Sequence, residues 1–121
     1  MTITTATILG ATVHGTASGN YDGSSLDWAS DAAQAANYYQ GRGSVQTITF
    51  DLTGFEGELV LEATLDATAE TATWFETYRI TAVGTPLTEH RVATVTGNFT
   101  WMRVHVLGFE AGTINFVNIT Y

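Results

Sequence analysis

From Ser44 to the last residue, apolar side chains return at every second position, and that period constrains the fold more than anything else in the chain. In SVQTITFDL, Ile48, Phe50 and Leu52 share one side, and Thr47, Thr49 and Asp51 take the other. In ELVLEATL, Leu59, Leu61, Ala63 and Leu65 are expected inside, with Val60, Glu62 and Thr64 outside. WFETYRITAVG sets Tyr78, Ile80 and Ala82 against Thr77, Arg79 and Thr81. GNFTWMRVHVLGF sets Met102, Val104 and Val106 against Phe99, Trp101, Arg103 and His105. A period of two belongs to strands with one buried face. With TITTATIL at residues 2–9, RVATVTG and TINFVNITY, the count reaches about seven strands. They are separated by the turn-like TGFEG, DATAETAT, GTPLTEH and EAG. Short strands with turn signals about every ten residues predict an all-β fold, an antiparallel β-sandwich or jelly roll.

Composition agrees. Threonine makes up about a fifth of the chain, and β-branched and aromatic residues favour pleated, half-buried surfaces. Residues 1–12 are expected as an N-terminal strand or a docking arm that adds to a neighbour's sheet edge. Residues 13–43 are loop-rich, and residues 44–121 hold the core strands. The only alanine-rich stretch, DWASDAAQAAN at 27–37, is expected as at most one short helix, capped by Ser24, Ser25 or Asp27; an extended segment lying on the domain is the rival. The 121 residues suit one domain, which at that size buries roughly two-thirds of its unfolded surface and needs no covalent staple. There is no cysteine, so thiolate chemistry and disulfides are excluded.

Four arginines and no lysine face twelve carboxylates, for a formal net charge of −8. Such a chain repels polyanions, so nucleic acid and anionic membranes are not its expected partners. No apolar run approaches the ~18 residues of a membrane helix, and MTITTATILGA has no basic region of a secretory signal.

Catalytic patterns are missing from the sequence. Ser18, Ser24, Ser25, Ser30 and Ser44 all fall in the loop-like first part, His14, His90 and His105 are far apart in sequence with no supporting motif, and GTASG lacks the glycine spacing of a nucleophile elbow. Glu58, Glu62 and Glu76 read as solvated strand faces rather than a glycosidase pair. Asn20, Asp22 and Asp27 faintly resemble a calcium loop, but lack the late carboxylate such loops need, and an Asx turn accounts for them. No metal, cofactor or catalytic residue is expected.

The aromatics are the strongest functional signal. Covering a tryptophan removes roughly 150–250 Å² from water, about 4–6 kcal/mol at ~25 cal/mol per Å². Trp28, Trp74, Phe99, Trp101, Arg103 and His105 are therefore the candidate interaction residues. The Phe99–Trp101–Arg103–His105 side is expected to be covered, either by the chain's own 27–40 segment or by a partner subunit. An open platform that stacks sugar rings is the alternative.

The order YYQGRGSVQTITFDLTGFEGELVLEATLDA, then TWFETY, then VTGNFTWMRVHVLGFEAGTINFVNITY resembles a β-sandwich module of virion structural proteins in tailed phages, especially T4-like cyanophages. GNFTWMR and FEAGTI are its most specific pieces. The likeness covers residues 37–121. It implies a non-enzymatic building block located in the virion, with other virion proteins as partners and a homo-oligomer within the particle. The short chain, without a coiled-coil stalk, directs that expectation toward a small accessory piece such as a capsid decoration protein. The alternative is a carbohydrate-binding, host-receptor module.

Overall fold

The computed structural model describes residues 3–38 and 44–121. Tyr39 and the glycine-rich QGRG stretch with Arg42, part of the resemblance and of the expected 27–40 cover, lie outside the described residues.

The chain is built of β1 (Thr5–Leu9), β2 (Thr12–Val13), β3 (Trp28–Ala29), β4 (Ala33–Gln34), β5 (Val45–Thr64), β6 (Phe75–Thr96) and β7 (Trp101–Thr120). All pairings are antiparallel. β5 is central, with β6 on one side and β7 on the other, and the far edge of β7 receives β1, β2, β3 and β4 in turn.

Strand pairing alone shows that this sheet is bent double. β6 ends at Thr96, opposite Val45 at the start of β5, while β7 begins at Trp101, opposite Thr64 at its end. Laid flat, those two points on β5 would be about 60 Å apart at ~3.3 Å per residue. The connection through residues 97–100 reaches only about 18 Å. The halves therefore stack as two layers. The first holds β1, the ends of β6 and β7, and the start of β5. The second holds β3, β4, the starts of β6 and β7, and the end of β5. Phe50 of the first layer stacks on Tyr78 of the second, ring centroids 5.8 Å apart.

The bends fall where the register slips, between Leu52 and Gly57 on β5. They carry glycines with positive φ: Gly54 and Gly57 on β5, Gly84 on β6, Gly108 and Gly112 on β7. TGFEG, GTPLTEH and EAG, expected as turns between separate strands, are thus corners inside continuous strands. Glycine lets the backbone turn without leaving the ladder.

No α-helix forms at 27–37. Asp27 accepts a hydrogen bond from Gly108 N at 2.9 Å instead of capping a helix, and β3 and β4 pair with β7. This buries Trp28 and Ala35, and the gain from burial outweighs alanine's modest helix preference. Among the described residues the one helical turn is 3₁₀, Ala69–Thr71, within the polar loop before β6. Residues 5–9 are a strand of the chain's own sheet, with Ile8 and Leu9 buried.

Between the layers lie Ile48, Phe50, Leu52, Phe55, Leu59, Leu61, Ile80, Met102, Val104, Val106, Phe109 and Ile119. Gln46 is fully buried among them and fully bonded. Its Nε2 donates to Val95 O and Gly97 O, and its Oε1 accepts from Ala36 N. Two expectations are corrected at β5. Val60 and Thr64 are buried although they point outward, and Leu65 is exposed because the strand stops at Thr64.

The corners should be unequal. A Cβ at Gly112 (φ 87°) would collide with the Gly54 carbonyl, whereas at Gly84 (φ 80°) it meets open space. Gly84→Ala should cost about 1–2 kcal/mol for its conformation alone, and Gly112→Ala more than about 3 kcal/mol. Urea denaturation of both variants measures the difference; equal losses would contradict the close approach of the two corners.

Candidate functional site

The outer face of the second layer carries the candidate row. By register, Trp101, Arg103, His105 and Leu107 of β7 stand opposite Thr64, Glu62, Val60 and Glu58 of β5. On the other side of β5, Arg79 stands opposite Val60 and Thr81 opposite Glu58. Val60 is only 3% exposed, flanked by the long side chains of Arg79 and His105.

Every guanidinium described on this face is paired. Arg103 Nε donates to Glu62 Oε1 at 2.8 Å, and His105 Nδ1 lies 3.7 Å from Glu62 Oε2. Arg79 forks onto Glu76, with Nε to Oε2 at 3.1 Å and Nη2 to Oε1 at 2.8 Å, and its Nη1 reaches Glu58 at 3.1 Å. Those bonds hold the Glu76 carboxyl below the usual carboxylate range, chiefly through the hydrogen bonds from Arg79.

The rings are fixed as firmly as the charges. The Arg103 guanidinium lies 4.5 Å from the Trp74 ring centroid. Trp101 Nε1 donates to Ala67 O at 3.0 Å, and the Tyr38 ring meets Trp101 edge-on at 5.0 Å. The 65–74 loop that supplies Trp74 and Ala67 is itself fastened. Thr100 Oγ1 donates to the carbonyls of Thr64 and Asp66, and Asp66 accepts from Thr73 N. The row is thus covered in part by its own chain, by the 65–74 loop and Tyr38. The 27–34 stretch lies instead along the edge of β7.

The six candidate residues divide. Trp74, Trp101, Arg103 and His105 come together, all half-buried. Phe99 sits in the turn before β7, packed against the core. Trp28 is 7% exposed and points inward, against Tyr21 and Phe109, and takes no part in the face. Its position opposite Val106, a core residue, decides its direction.

The sequence did not single out the other outer face. On the first layer it presents Thr5 and Thr7 of β1, and Phe116, Asn118 and Thr120 of β7. Val45, Thr47, Thr49 and Asp51 follow from β5, then His90, Val92, Thr94 and Thr96 from β6. Its ionisable side chains among these are Asp51 and His90, 3.1 Å apart. Val92 is 64% exposed and Val45 52%. The signal was in the sequence, since the outward positions of these strands are threonine and valine where a solvated face of so acidic a chain would carry charge.

The calcium-like loop is occupied by its own hydrogen bonds. Asp22 accepts from Ser24 N at 2.9 Å and Ser25 N at 2.7 Å, and Asn20 Nδ2 donates to Ala29 O and Asp31. Among the described residues no cluster of His, Asp and Glu is arranged to hold a metal. A cleft of about 120 Å³ at the bent end is lined by Glu56, Glu58, Glu110, Val83 and Leu107. That is below the ~300 Å³ of ordinary ligand pockets.

Comparison of the chain with family models, curated proteins and solved structures returned no match.

Two measurements check this geometry. A double-mutant cycle on Glu62→Ala and Arg103→Ala should give a coupling of about 1–2 kcal/mol, above that of a fully exposed pair, because both side chains are less than a third exposed. The backbone hydrogen bonds from Ser24 and Ser25 lower the Asp22 carboxyl to about 2. Its stabilising contribution should be complete above its ordinary value near 3.8 and be lost as pH falls through about 2. Acid titration of Asp22→Asn beside wild type reads this as a missing step.

Proposed function

We propose that this chain is a non-enzymatic structural component of a tailed-phage virion, a small accessory piece docked on the particle, with a capsid decoration protein as the favoured form. The observation that carries the docking is the sparsely charged outer face of the first layer. In a chain of net charge −8, four adjacent strands there offer threonine, valine, asparagine and phenylalanine, with Asp51 and His90, 3.1 Å apart, as the ionisable pair among them. Interface cores are depleted in charge relative to the rest of a protein surface. A sheet face with few charges can be dried at less cost than a charged one, and its hydroxyls can pair with hydroxyls and amides across the interface.

The likeness to virion modules supports the same reading from the sequence. Its most specific residues are the ones that build the fold: the Gly97–Phe99 turn, the Trp101–Arg103 start of β7, the Phe109 core ring and the Ala111–Gly112 corner. A module selected for assembly needs a rigid frame and complementary faces, and no reacting group. The partners are then other virion proteins, with further copies of this chain at equivalent positions on the lattice.

A charge placed on the sparsely charged face tests this. Val92→Glu is at an exposed position and should leave the melting temperature within about 2 °C of wild type. Occupancy on particles assembled with the variant should fall at least about tenfold, the cost of about 1.4 kcal/mol at each site. Quantifying the protein on purified virions measures it, and a particle map locates it. Full occupancy by Val92→Glu would rule out this face, and absence of the wild-type chain from virions would rule out the assignment.

A further inference from the structure

The opposite face has a different chemistry, and we propose that it binds a neutral oligosaccharide, with Trp74 and Trp101 as stacking surfaces. This goes beyond particle docking and uses residues on the other side of the sandwich.

The reasoning begins with what holds each ring. Trp74 is half-buried with the Arg103 guanidinium over its ring, and part of the indole stays in contact with water. Trp101 is held by the hydrogen bond to Ala67 O and by the edge contact with Tyr38. Both indoles are oriented before any ligand arrives, so little side-chain entropy remains to be lost on binding. Fixed, partly wet aromatic rings beside hydrogen-bonding groups are suited to a ligand with apolar C–H faces and a hydroxyl rim, which describes a pyranose.

Charge then narrows the ligand. Arg103 is taken by Glu62, and Arg79 by Glu76 and Glu58. Three carboxylates against two guanidiniums leave the described cluster acidic, which disfavours sulfated, sialylated or phosphorylated glycans. Paired carboxylates and guanidiniums still have lone pairs and N–H groups to offer, and these suit uncharged hydroxyls. Glu62 and His105 lie next to the rings on this face, and Gln34 stands opposite Trp101 by register.

The test uses the whole chain in solution. Maltohexaose, cellohexaose, mannohexaose and chitohexaose are the neutral probes, and a heparin hexasaccharide is the anionic one. Binding is read by calorimetry and by tryptophan fluorescence. At least one neutral probe should bind with a Kd of about 1 mM or tighter. Trp74→Ala and Trp101→Ala should each weaken that binding about tenfold or more, while Trp101→Phe retains part of it and Val92→Glu leaves it unchanged. Near-ultraviolet circular dichroism confirms that each variant is folded, and Trp74, in a loop, is the safer of the two positions. The proposal is overturned if no neutral probe binds with a Kd of about 1 mM or tighter, if the folded Trp74→Ala variant binds as wild type, or if heparin is preferred. Virion occupancy of Trp74→Ala separates the two readings: loss there assigns this face to a protein partner and overturns the sugar proposal.

Discussion

Hydrogen-bonded strands cannot bend one at a time. If β5 turns a corner while β6 and β7 stay on its two edges, both neighbours must turn at the same level or the ladder breaks. This is the constraint on which the rest of the molecule depends. The glycines at 54 and 57, at 84, and at 108 and 112 satisfy it together, with register slips on β5 absorbing the mismatch. Once the sheet is doubled, the alternation of side chains does the remaining work. One set of positions meets in the middle and becomes the core, and the other set becomes two outward faces on opposite sides.

The two faces, made by the same three strands, differ because each strand changes its outward residues at the corner. β5 presents Thr47 and Thr49 before it, and Glu58 and Glu62 after it. β6 presents Arg79 and Thr81 before, then Val92 and Thr94. β7 presents Trp101, Arg103 and His105, then Phe116, Asn118 and Thr120. The sparsely charged surface and the surface of paired charges and indoles are thus segregated by the bend. The outer edge of β6 is handled separately. Pro86 lies in it, and Glu89 and Arg91 stand opposite Leu52 and Phe50, on the core side, joined at 2.7 Å. Proline and inward-pointing charge on an edge strand discourage unwanted pairing with another sheet.

The sequence made the strands legible because a period of two is a local signal. Ile48–Phe50–Leu52, Leu59–Leu61–Ala63 and Met102–Val104–Val106 all face the core as their spacing required. It concealed the continuity of the strands, since TGFEG or EAG reads equally well as a hairpin turn or as a corner, and only pairing with distant residues decides between them. The alanine-rich stretch misled for the same reason: its helix propensity is local, while the edge of β7 that captures it lies some seventy residues away. Of the candidate site, Trp101, Arg103 and His105 were legible as one row. Trp74 could be named from the sequence but not placed, because its position over Arg103 depends on how the 65–74 loop is fastened. Trp28 was misjudged because an isolated tryptophan in a polar loop carries no facing signal of its own.

One feature of the pairing governs the order in which this molecule can be made. β1, β2, β3 and β4 all pair with β7, the strand that a ribosome delivers last of those described. The strands between Thr5 and Gln34 therefore lack their pairing partner until residues 101–120 have been synthesised. Contacts of such long sequence separation close slowly, in the millisecond-to-second range for small β proteins. During synthesis Ile8, Leu9 and Trp28 wait in water, and an interrupted chain has no sandwich to settle into. The acidity of the chain, with its mutual repulsion between nascent copies, then has a physical use during synthesis.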